Sequence, residues 1–195
     1  MKTIEFYFDF GSPTTYLAHT QLTRIAAETL ARLVYKPMLL GGVFKATGNA
    51  SPVTVPAKGR WMFGDLARWA QRYGVPFVMN PFFPINTLTL MRGAVGLQMK
   101  QPALFDAYTD AVFKAMWAQP RDLGQSAEVA AVLAPLGIAP DAFMALVGDA
   151  EVKAALVAAT DEAVARGVFG APTCFVGEAM FFGQDRLDFL REALK

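Results

Sequence analysis

The chain of 195 residues contains one cysteine and one histidine, and both scarcities exclude classes of chemistry. The single cysteine, Cys174, excludes an internal disulfide and favours a reducing, cytoplasmic compartment. The single histidine, His19, excludes a histidine-cluster metal site. It is also not placed to activate a serine, which argues against a Ser-His-Asp hydrolase. We therefore predict a protein without a metal, in which Cys174 is a small buried hydrophobe.

An excess of charge of either sign is absent as well. Eighteen Lys and Arg residues stand against 17 Asp and Glu residues, which gives a net charge of +1. This balance offers no electrostatic reason to bind nucleic acid or an anionic membrane. No apolar run approaches the roughly eighteen residues of a membrane helix, and Met1 to Phe10 carries charges unlike a secretory signal. The hydrophobic content of 54% suffices for a large core, so we predict one domain with an insertion.

Hydrophobic periodicity predicts a β-α-β unit, then a helical block, then a β-β-α unit. The first unit is a strand at Thr3 to Phe8, a helix at Pro13 to Leu30 and a strand at Leu33 to Met38, with the strands parallel. A functional loop rich in glycine and proline is expected from Gly41 to Lys58. The helical patterns that follow cover residues 60–73, 87–100, 103–118, 126–136, 140–147 and 151–166. Strands at 173–176 and 179–182 and an amphipathic helix at 184–195 close the chain.

This order of elements predicts an α/β protein with a thioredoxin-like fold and a large helical insertion. Residues 1–40 and 168–195 are expected to form the thioredoxin-like domain. Residues 41–167 are expected to form the loop and the helical insertion domain.

Two segments carry the chemistry that we expect. The segment Phe8 to Tyr16 places the Ser12 hydroxyl at a helix N-terminus, with Pro13 at the first helical position. A helix N-terminus offers free backbone N–H groups and a partial positive charge, so it favours an anion. The segment Gly170 to Val176 places Pro172 immediately before a strand. A thiolate is the anion that we expect at the start of the helix.

The two segments resemble the DsbA-like 2-hydroxychromene-2-carboxylate isomerases and the related kappa-class glutathione transferases. The first matches the pattern strand-Asp-Phe-x-Ser-Pro-x-x-Tyr of that branch. The further matching segments are Gly41 to Asn49, Phe83 to Thr87, Phe169 to Val176 and Gly183 to Arg186. The likeness covers nearly the whole chain, and the order of the motifs is specific for the branch. Redox members carry Cys-x-x-Cys where this chain has Ser12 to Thr15, which rules out dithiol chemistry at this turn.

The resemblance implies glutathione as the cofactor, with its thiolate beside Ser12 as the catalytic residue. It also implies that Pro172 is cis and that the backbone of Ala171 pairs with the glutathione peptide as an added strand would. Asp185 is expected to accept a hydrogen bond from the γ-glutamyl ammonium group. The complete set of expected glutathione-binding residues is Ser12, Asn49, Lys58, Ala171, Pro172, Phe182, Gly183, Gln184, Asp185 and Arg186.

The resemblance also implies a small aromatic carboxylate as the substrate. Lys45 is expected to face its carboxylate, and Asn49 to contact both the substrate and the glutathione peptide. Lys58 is expected to hold the glycine carboxylate of glutathione. Phe83 would help to wall a flat pocket, and Asn86 would cap the next helix with a substrate contact in addition. Other aromatic side chains proposed for the wall are Trp61, Phe77 and Phe82.

Each assignment has a structural alternative that the sequence leaves open. Ser12 and Asp185 both suit helix caps, and Pro172 suits an ordinary trans proline at the start of a strand. A loop lysine is most often solvated, and bulky apolar side chains such as Phe83 most often belong to the core.

The function implied by the resemblance is glutathione-dependent isomerisation. The family reaction interconverts 2-hydroxychromene-2-carboxylate and trans-o-hydroxybenzylidenepyruvate in naphthalene-type catabolism, and homodimers are common in the family. A kappa-type glutathione transferase that conjugates electrophiles is the first alternative. A dithiol oxidoreductase is disfavoured by the missing sulfurs. A non-catalytic binding protein on a thioredoxin-like fold is the remaining alternative.

Overall fold

Four strands form one mixed sheet in a computed structural model that describes all 195 residues. The strands are β1 (Thr3–Phe8), β2 (Arg32–Pro37), β3 (Thr173–Val176) and β4 (Ala179–Phe182), in the spatial order β2-β1-β3-β4. β1 and β2 are parallel, β3 is antiparallel to β1, and β4 is antiparallel to β3. The predicted β-α-β unit and the final hairpin are therefore confirmed.

Nine helices pack around this sheet. They are α1 (Pro13–Thr29), α2 (Leu40–Thr47), α3 (Pro56–Tyr73), α4 (Leu88–Lys100), α5 (Pro102–Trp117), α6 (Ser126–Leu133), α7 (Pro140–Gly148), α8 (Ala150–Ala165) and α9 (Leu187–Ala193). Proline stands in the first turn of α3, α5 and α7, where a missing N–H breaks no helical hydrogen bond. No single helix is long and apolar enough to cross a membrane; one bent pair, Ser126–Leu136 with Pro140–Gly148, meets the length and composition at an angle of 109°.

The prediction of one long loop from Gly41 to Lys58 is wrong, because both ends of this segment are helical. Its first part forms α2, its last part begins α3, and a 3₁₀ turn at Pro52–Thr54 lies between them. Two glycines lower the helix propensity of α2, so the sequence pattern resembles a loop. The helix is held by tertiary contacts instead: Asp9 Oδ2 accepts the Leu40 N–H at 2.8 Å, and a Cβ on Gly42 would lie 3.1 Å from Thr160 Cγ2.

One hydrophobic cluster of 37 buried residues joins the sheet to the helical block. Phe8 of β1 and Phe10, which follows it, both contact Phe113 of α5, with ring centroids 5.9 and 4.8 Å apart. The indole N–H of Trp117 donates to the Phe10 carbonyl at 2.8 Å. The helical insertion therefore packs directly on the strand that leads into the Ser12 motif. The domain boundaries at residues 40 and 168 stay a prediction.

Close packing of α4 gives a first testable prediction. A Cβ on Gly93 would lie 2.7 Å from the Phe143 ring, whereas a Cβ on Gly64 of α3 would meet nothing within 4 Å. We expect Gly93→Ala to lower the free energy of unfolding by about 1–3 kcal/mol through overpacking. The matched control Gly64→Ala is expected to raise it by about 0.5–1 kcal/mol. Denaturant unfolding of both variants measures the difference, and equal effects would contradict the packing described here.

Candidate active site

Ser12 lies where α1 begins and where the loop before β3 approaches it. Its Oγ accepts the Thr15 N–H at 3.2 Å, so the side chain caps α1. The same hydroxyl donates to the Ala171 carbonyl at 3.0 Å and lies 2.8 Å from Thr14 Oγ1. Only 5% of Ser12 is exposed. Ser12 is therefore the N-cap of α1, as the structural alternative proposed, and its hydroxyl also contacts the loop before β3 at Ala171.

The Ala171–Pro172 peptide bond is cis, as the resemblance implies. The Gly183 N–H donates to the Pro172 carbonyl at 3.0 Å, so the predicted Gly183 to Arg186 motif lies beside the proline. Gly183 has a φ of 96°, which favours glycine, and a Cβ there would collide with the Asp185 carboxylate. The two C-terminal motifs therefore meet at the same edge of the sheet as Ser12.

The Gly183 to Arg186 motif does not open the last helix, which corrects the sequence prediction. It forms a separate 3₁₀ turn at Gln184–Arg186, and α9 starts after it at Leu187. Gln184 is buried, while the Asp185 carboxylate pairs with the Arg186 guanidinium at the surface. The Tyr73 hydroxyl of α3 donates to the Gln184 carbonyl at 2.6 Å. Burial raises the pKa of Tyr73 to about 12, so the hydroxyl stays protonated and keeps this hydrogen bond at neutral pH.

Asn49 and Phe182 lie on the approach to Ala171. Asn49 Nδ2 donates to the Phe169 carbonyl at 2.8 Å, and its Oδ1 accepts the Ala50 N–H at 2.8 Å. The Phe169 and Phe182 rings are 4.6 Å apart and both are partly exposed. These contacts bring two of the predicted cofactor-binding residues next to the cis-proline loop and form an apolar wall there.

The two predicted lysines do not contact this group of residues. Lys45 lies in the last turn of α2 and is exposed. Lys58 lies in the first turn of α3, not in a loop, and is also exposed. Neither forms an ion pair or a hydrogen bond in the structure, so their assigned roles remain predictions.

Phe83 and Asn86 approach the site from the segment before α4. The Phe83 ring lies 5.8 Å from the Trp117 ring, which in turn bonds to the Phe10 carbonyl just before Ser12. The Phe83–Pro84 bond is also cis, which the sequence analysis did not predict. The N-cap of α4 is Thr87 and not Asn86, which corrects the sequence prediction, although Asn86 Oδ1 still accepts the Leu88 N–H at 3.0 Å. Asn86 also borders an apolar cavity of about 280 Å³ between α4, α6 and α7.

The other aromatic residues proposed for a pocket wall differ in their surroundings. Phe77 stacks on Trp117 with ring centroids 6.3 Å apart, which places it at the edge of the core. Phe82 and Trp61 are largely exposed. Of the four proposed wall residues, Phe77 and Phe83 are therefore the two that pack on the residue behind the Ser12 motif.

Asp9 is a residue of the site that sequence reasoning passed over. It is 1% exposed, and its Oδ1 accepts the Gly11 N–H at 2.8 Å and the Thr87 hydroxyl at 2.7 Å. Its Oδ2 accepts the N–H of Leu40 in the first turn of α2 at 2.8 Å. Burial raises the pKa of Asp9, and the three donors oppose that rise. One carboxylate therefore joins the Ser12 turn, α2 and the start of α4; a charged residue at the end of a buried strand was the available signal.

The electrostatics of the Ser12 turn favour an anion. α1 is 17 residues long and carries no acidic residue in its first turn, so its N-terminal end keeps a partial positive charge; the nearby Asp9 carboxylate is already bonded to three donors. Cys174 in β3 does not supply that anion, because it is buried and burial raises the pKa of its thiol. No group of His, Cys, Asp and Glu side chains is arranged to hold a metal ion. The Ser12 turn therefore suits an anionic group of a bound molecule.

The comparisons with known proteins agree with this geometry. The family model for the DSBA-like thioredoxin domain matches residues 3–195. The 2-hydroxychromene-2-carboxylate isomerase of Sphingobium xenophagum is 33% identical over 195 residues, covering 99% of this chain and 98% of the relative. This chain belongs to the 2-hydroxychromene-2-carboxylate isomerase branch of the DsbA-like thioredoxin family.

Two further comparisons define that branch. Glutathione S-transferase kappa 2 of Caenorhabditis elegans is 29% identical, covering 100% of this chain and 94% of the relative. A solved structure of a 2-hydroxychromene-2-carboxylate isomerase matches with a TM-score of 0.87 at 31% identity, covering 98% of this chain and 94% of that one. The predicted family and the DsbA-like fold with its helical insertion are confirmed. The four residues Ser12 to Thr15 of this chain contain no sulfur.

Proposed function

We propose that this chain is a glutathione-dependent cis-trans isomerase that interconverts 2-hydroxychromene-2-carboxylate and trans-o-hydroxybenzylidenepyruvate. The observation that carries the proposal is the Ser12 hydroxyl at the N-terminus of α1, 3.0 Å from the carbonyl that precedes the cis proline. This geometry occurs in a chain that is 33% identical over its full length to a named isomerase. The likeness to kappa glutathione transferases supports glutathione as the cofactor.

The residues at this edge of the sheet fit a glutathione molecule. Ser12 offers an O–H donor, the first turn of α1 carries no acidic residue, and Gly183 leaves room for the Asp185 carboxylate. The backbone of Ala171 would hold the peptide, and Asp185 would hold the γ-glutamyl ammonium group. Asn49 and Phe182 would border the cofactor on the outer side, and Lys58, Pro172, Gln184 and Arg186 complete the proposed set.

Glutathione, when bound, supplies a thiolate that adds reversibly to a conjugated alkene and so permits rotation about that bond. The contribution of this chain is to stabilise the sulfur anion and to position the reactants. The Ser12 O–H would donate to the sulfur, and the N-terminal end of α1 would add its partial positive charge. Lys45 and Asn86 are proposed to orient the carboxylate substrate, and Phe83 to border its ring.

An assay of the isomerisation with and without glutathione tests the proposal. We expect turnover of trans-o-hydroxybenzylidenepyruvate to require glutathione and to be absent with S-methylglutathione, which binds in the same shape but has no thiol. Spectrophotometric conversion of the substrate measures the rate. Equal turnover without glutathione, or none in its presence, would overturn the proposed reaction.

A kappa-type transferase is the second candidate function, and the 29% identity to a kappa transferase favours it. Its site would need the same thiolate and would differ in the electrophile that accepts it. Conjugation of a generic aryl halide at a rate above that of the isomerisation would support the transferase. A non-catalytic binding protein would show neither activity.

We also propose that the protein acts as a homodimer in the cytoplasm. The high apolar content of the chain, at 54%, permits self-association. The single, reduced and buried Cys174 is compatible with a reducing compartment.

A further inference from the structure

Three oxygen atoms meet at the start of α1, and only two protons are available to bond them. Ser12 Oγ lies 2.8 Å from Thr14 Oγ1 and 3.0 Å from the Ala171 carbonyl oxygen, and Thr14 Oγ1 lies 3.1 Å from that same carbonyl. Each hydroxyl has one proton to donate, whereas the carbonyl can accept two hydrogen bonds. Ser12 Oγ also accepts the Thr15 N–H at 3.2 Å. This bond does not use the Ser12 proton, which can still be donated to another acceptor.

We propose that Thr14 is a positioning residue that bonds the Ala171 carbonyl while Ser12 turns its proton to the glutathione sulfur. This inference rests on the proposed function, because it concerns the same sulfur site. Without a bound thiolate, the Ser12 proton points to the carbonyl. With one, Ser12 can point to the sulfur without leaving the carbonyl unbonded, since the Thr14 hydroxyl is already within reach of it.

The partial burial of this group supports the division of roles. Ser12 is 5% exposed, and Thr14 and Ala171 are half-buried, so the Ala171 carbonyl is partly shielded from water when the Ser12 proton leaves it. An acceptor shielded from water that loses its donor costs more than a hydrogen bond contributes. Thr14 is the only other side chain that bonds to this carbonyl, and it is the more exposed of the two hydroxyl residues. Its hydroxyl therefore lowers the cost of bringing the Ser12 proton to the sulfur.

The experiment compares the thiol pKa of bound glutathione in matched variants. Thr14→Val keeps the shape of the side chain and removes the hydroxyl, and Thr14→Ser keeps the hydroxyl. Thr20→Val is the control on the same helix, because the Thr20 hydroxyl bonds only within α1 and to its neighbour Gln21. A pH titration of the ultraviolet thiolate absorbance of the glutathione complex gives the pKa. Thermal unfolding and circular dichroism check that each variant folds.

We expect Thr14→Val to raise the pKa of the bound thiol by about half a unit to one unit, the size of one lost neutral hydrogen bond. Thr14→Ser and Thr20→Val are expected to keep the wild-type pKa. The kcat of Thr14→Val should fall while the KM for glutathione changes less, because the peptide contacts remain. A merely structural role for Thr14 would lower the melting temperature and leave the pKa of the bound thiol unchanged.

The outcomes separate this inference from the proposed function. If the wild-type protein binds glutathione without lowering its thiol pKa, the proposed function fails and the role of Thr14 fails with it. If the wild-type protein lowers the pKa and Thr14→Val lowers it equally, the role of Thr14 is overturned and the proposed function stands. Should Thr14→Val not fold, Thr14→Ala removes the same hydroxyl with less side chain, and a wild-type thiol pKa in that variant overturns the inference equally.

Discussion

Replacing Ser12 with alanine is expected to lower kcat/KM of the glutathione-dependent reaction by about ten- to a hundredfold. The lost interaction is one charge-assisted hydrogen bond to a thiolate, which contributes roughly 1.5–3 kcal/mol. At about 1.4 kcal/mol for each factor of ten in rate, this energy gives the stated range. Steady-state kinetics with glutathione and the benzylidenepyruvate substrate measures it.

The capping role of Ser12 requires a control, because alanine also removes the N-cap of α1. Loss of a serine cap costs about 1 kcal/mol of stability, whereas glycine at the same position costs only about a few tenths. Ser12→Gly should therefore keep nearly the wild-type melting temperature and lose as much activity as Ser12→Ala. Near-wild-type turnover in both variants would remove Ser12 from the mechanism and leave it as a helix cap alone.

Replacing Asp9 with asparagine is expected to lower the free energy of unfolding by about 3 kcal/mol. All three neighbours of the carboxylate are donors, so the asparagine NH₂ group must face one of them in place of an acceptor. The variant loses a hydrogen bond to a charged group and leaves a buried donor unbonded, each worth about 1–3 kcal/mol. For a chain of this size the melting temperature should fall by roughly 6–12 °C. Chemical and thermal unfolding measure both quantities.

Asp122→Asn is the matched control for Asp9. Asp122 also accepts a backbone N–H, that of Gly124 at 3.1 Å, but it is only half-buried and lies at the surface. Its replacement should change the free energy of unfolding by no more than about 0.5 kcal/mol. An effect of similar size at both positions would show that Asp9 does not hold the three segments together.

The effect of Asp9→Asn on the free energy of unfolding should also depend on pH. Because burial raises its pKa, the folded value lies above the unfolded value. The stability linked to this proton is therefore fully present below the unfolded pKa and is lost as the pH rises through the folded pKa. The difference in unfolding free energy between the wild-type protein and Asp9→Asn should therefore become smaller as the pH rises through the folded pKa of Asp9.

The fold was predictable where local pattern and tertiary structure agree. The strands β1, β3 and β4 have the predicted bounds because their aromatic and β-branched residues favour strands and turn signals flank them. α2 was missed because its stability comes from Asp9, 31 residues before Leu40, and from close packing against Thr160. Contacts of that kind lie between distant residues, and local propensity does not report them.

The site was predictable where a motif fixes the backbone. The Ser12 turn, the cis Pro172 and the Gly183 turn meet as the resemblance implied, because each motif specifies its own local geometry. Thr14 and Asp9 were passed over because their importance depends on the Ala171 carbonyl and on Thr87, which approach only in the folded chain. The exposed Lys45 and Lys58 have long, flexible side chains without a partner, so neither pattern nor structure fixes their roles.

A crystal structure of the complex with glutathione tests the central claim most directly. We expect the sulfur within hydrogen-bonding distance of Ser12 Oγ, at the first turn of α1, with the peptide running along the backbone of Ala171. A sulfur bound elsewhere, with the Ser12 hydroxyl still donating to the Ala171 carbonyl, would contradict it.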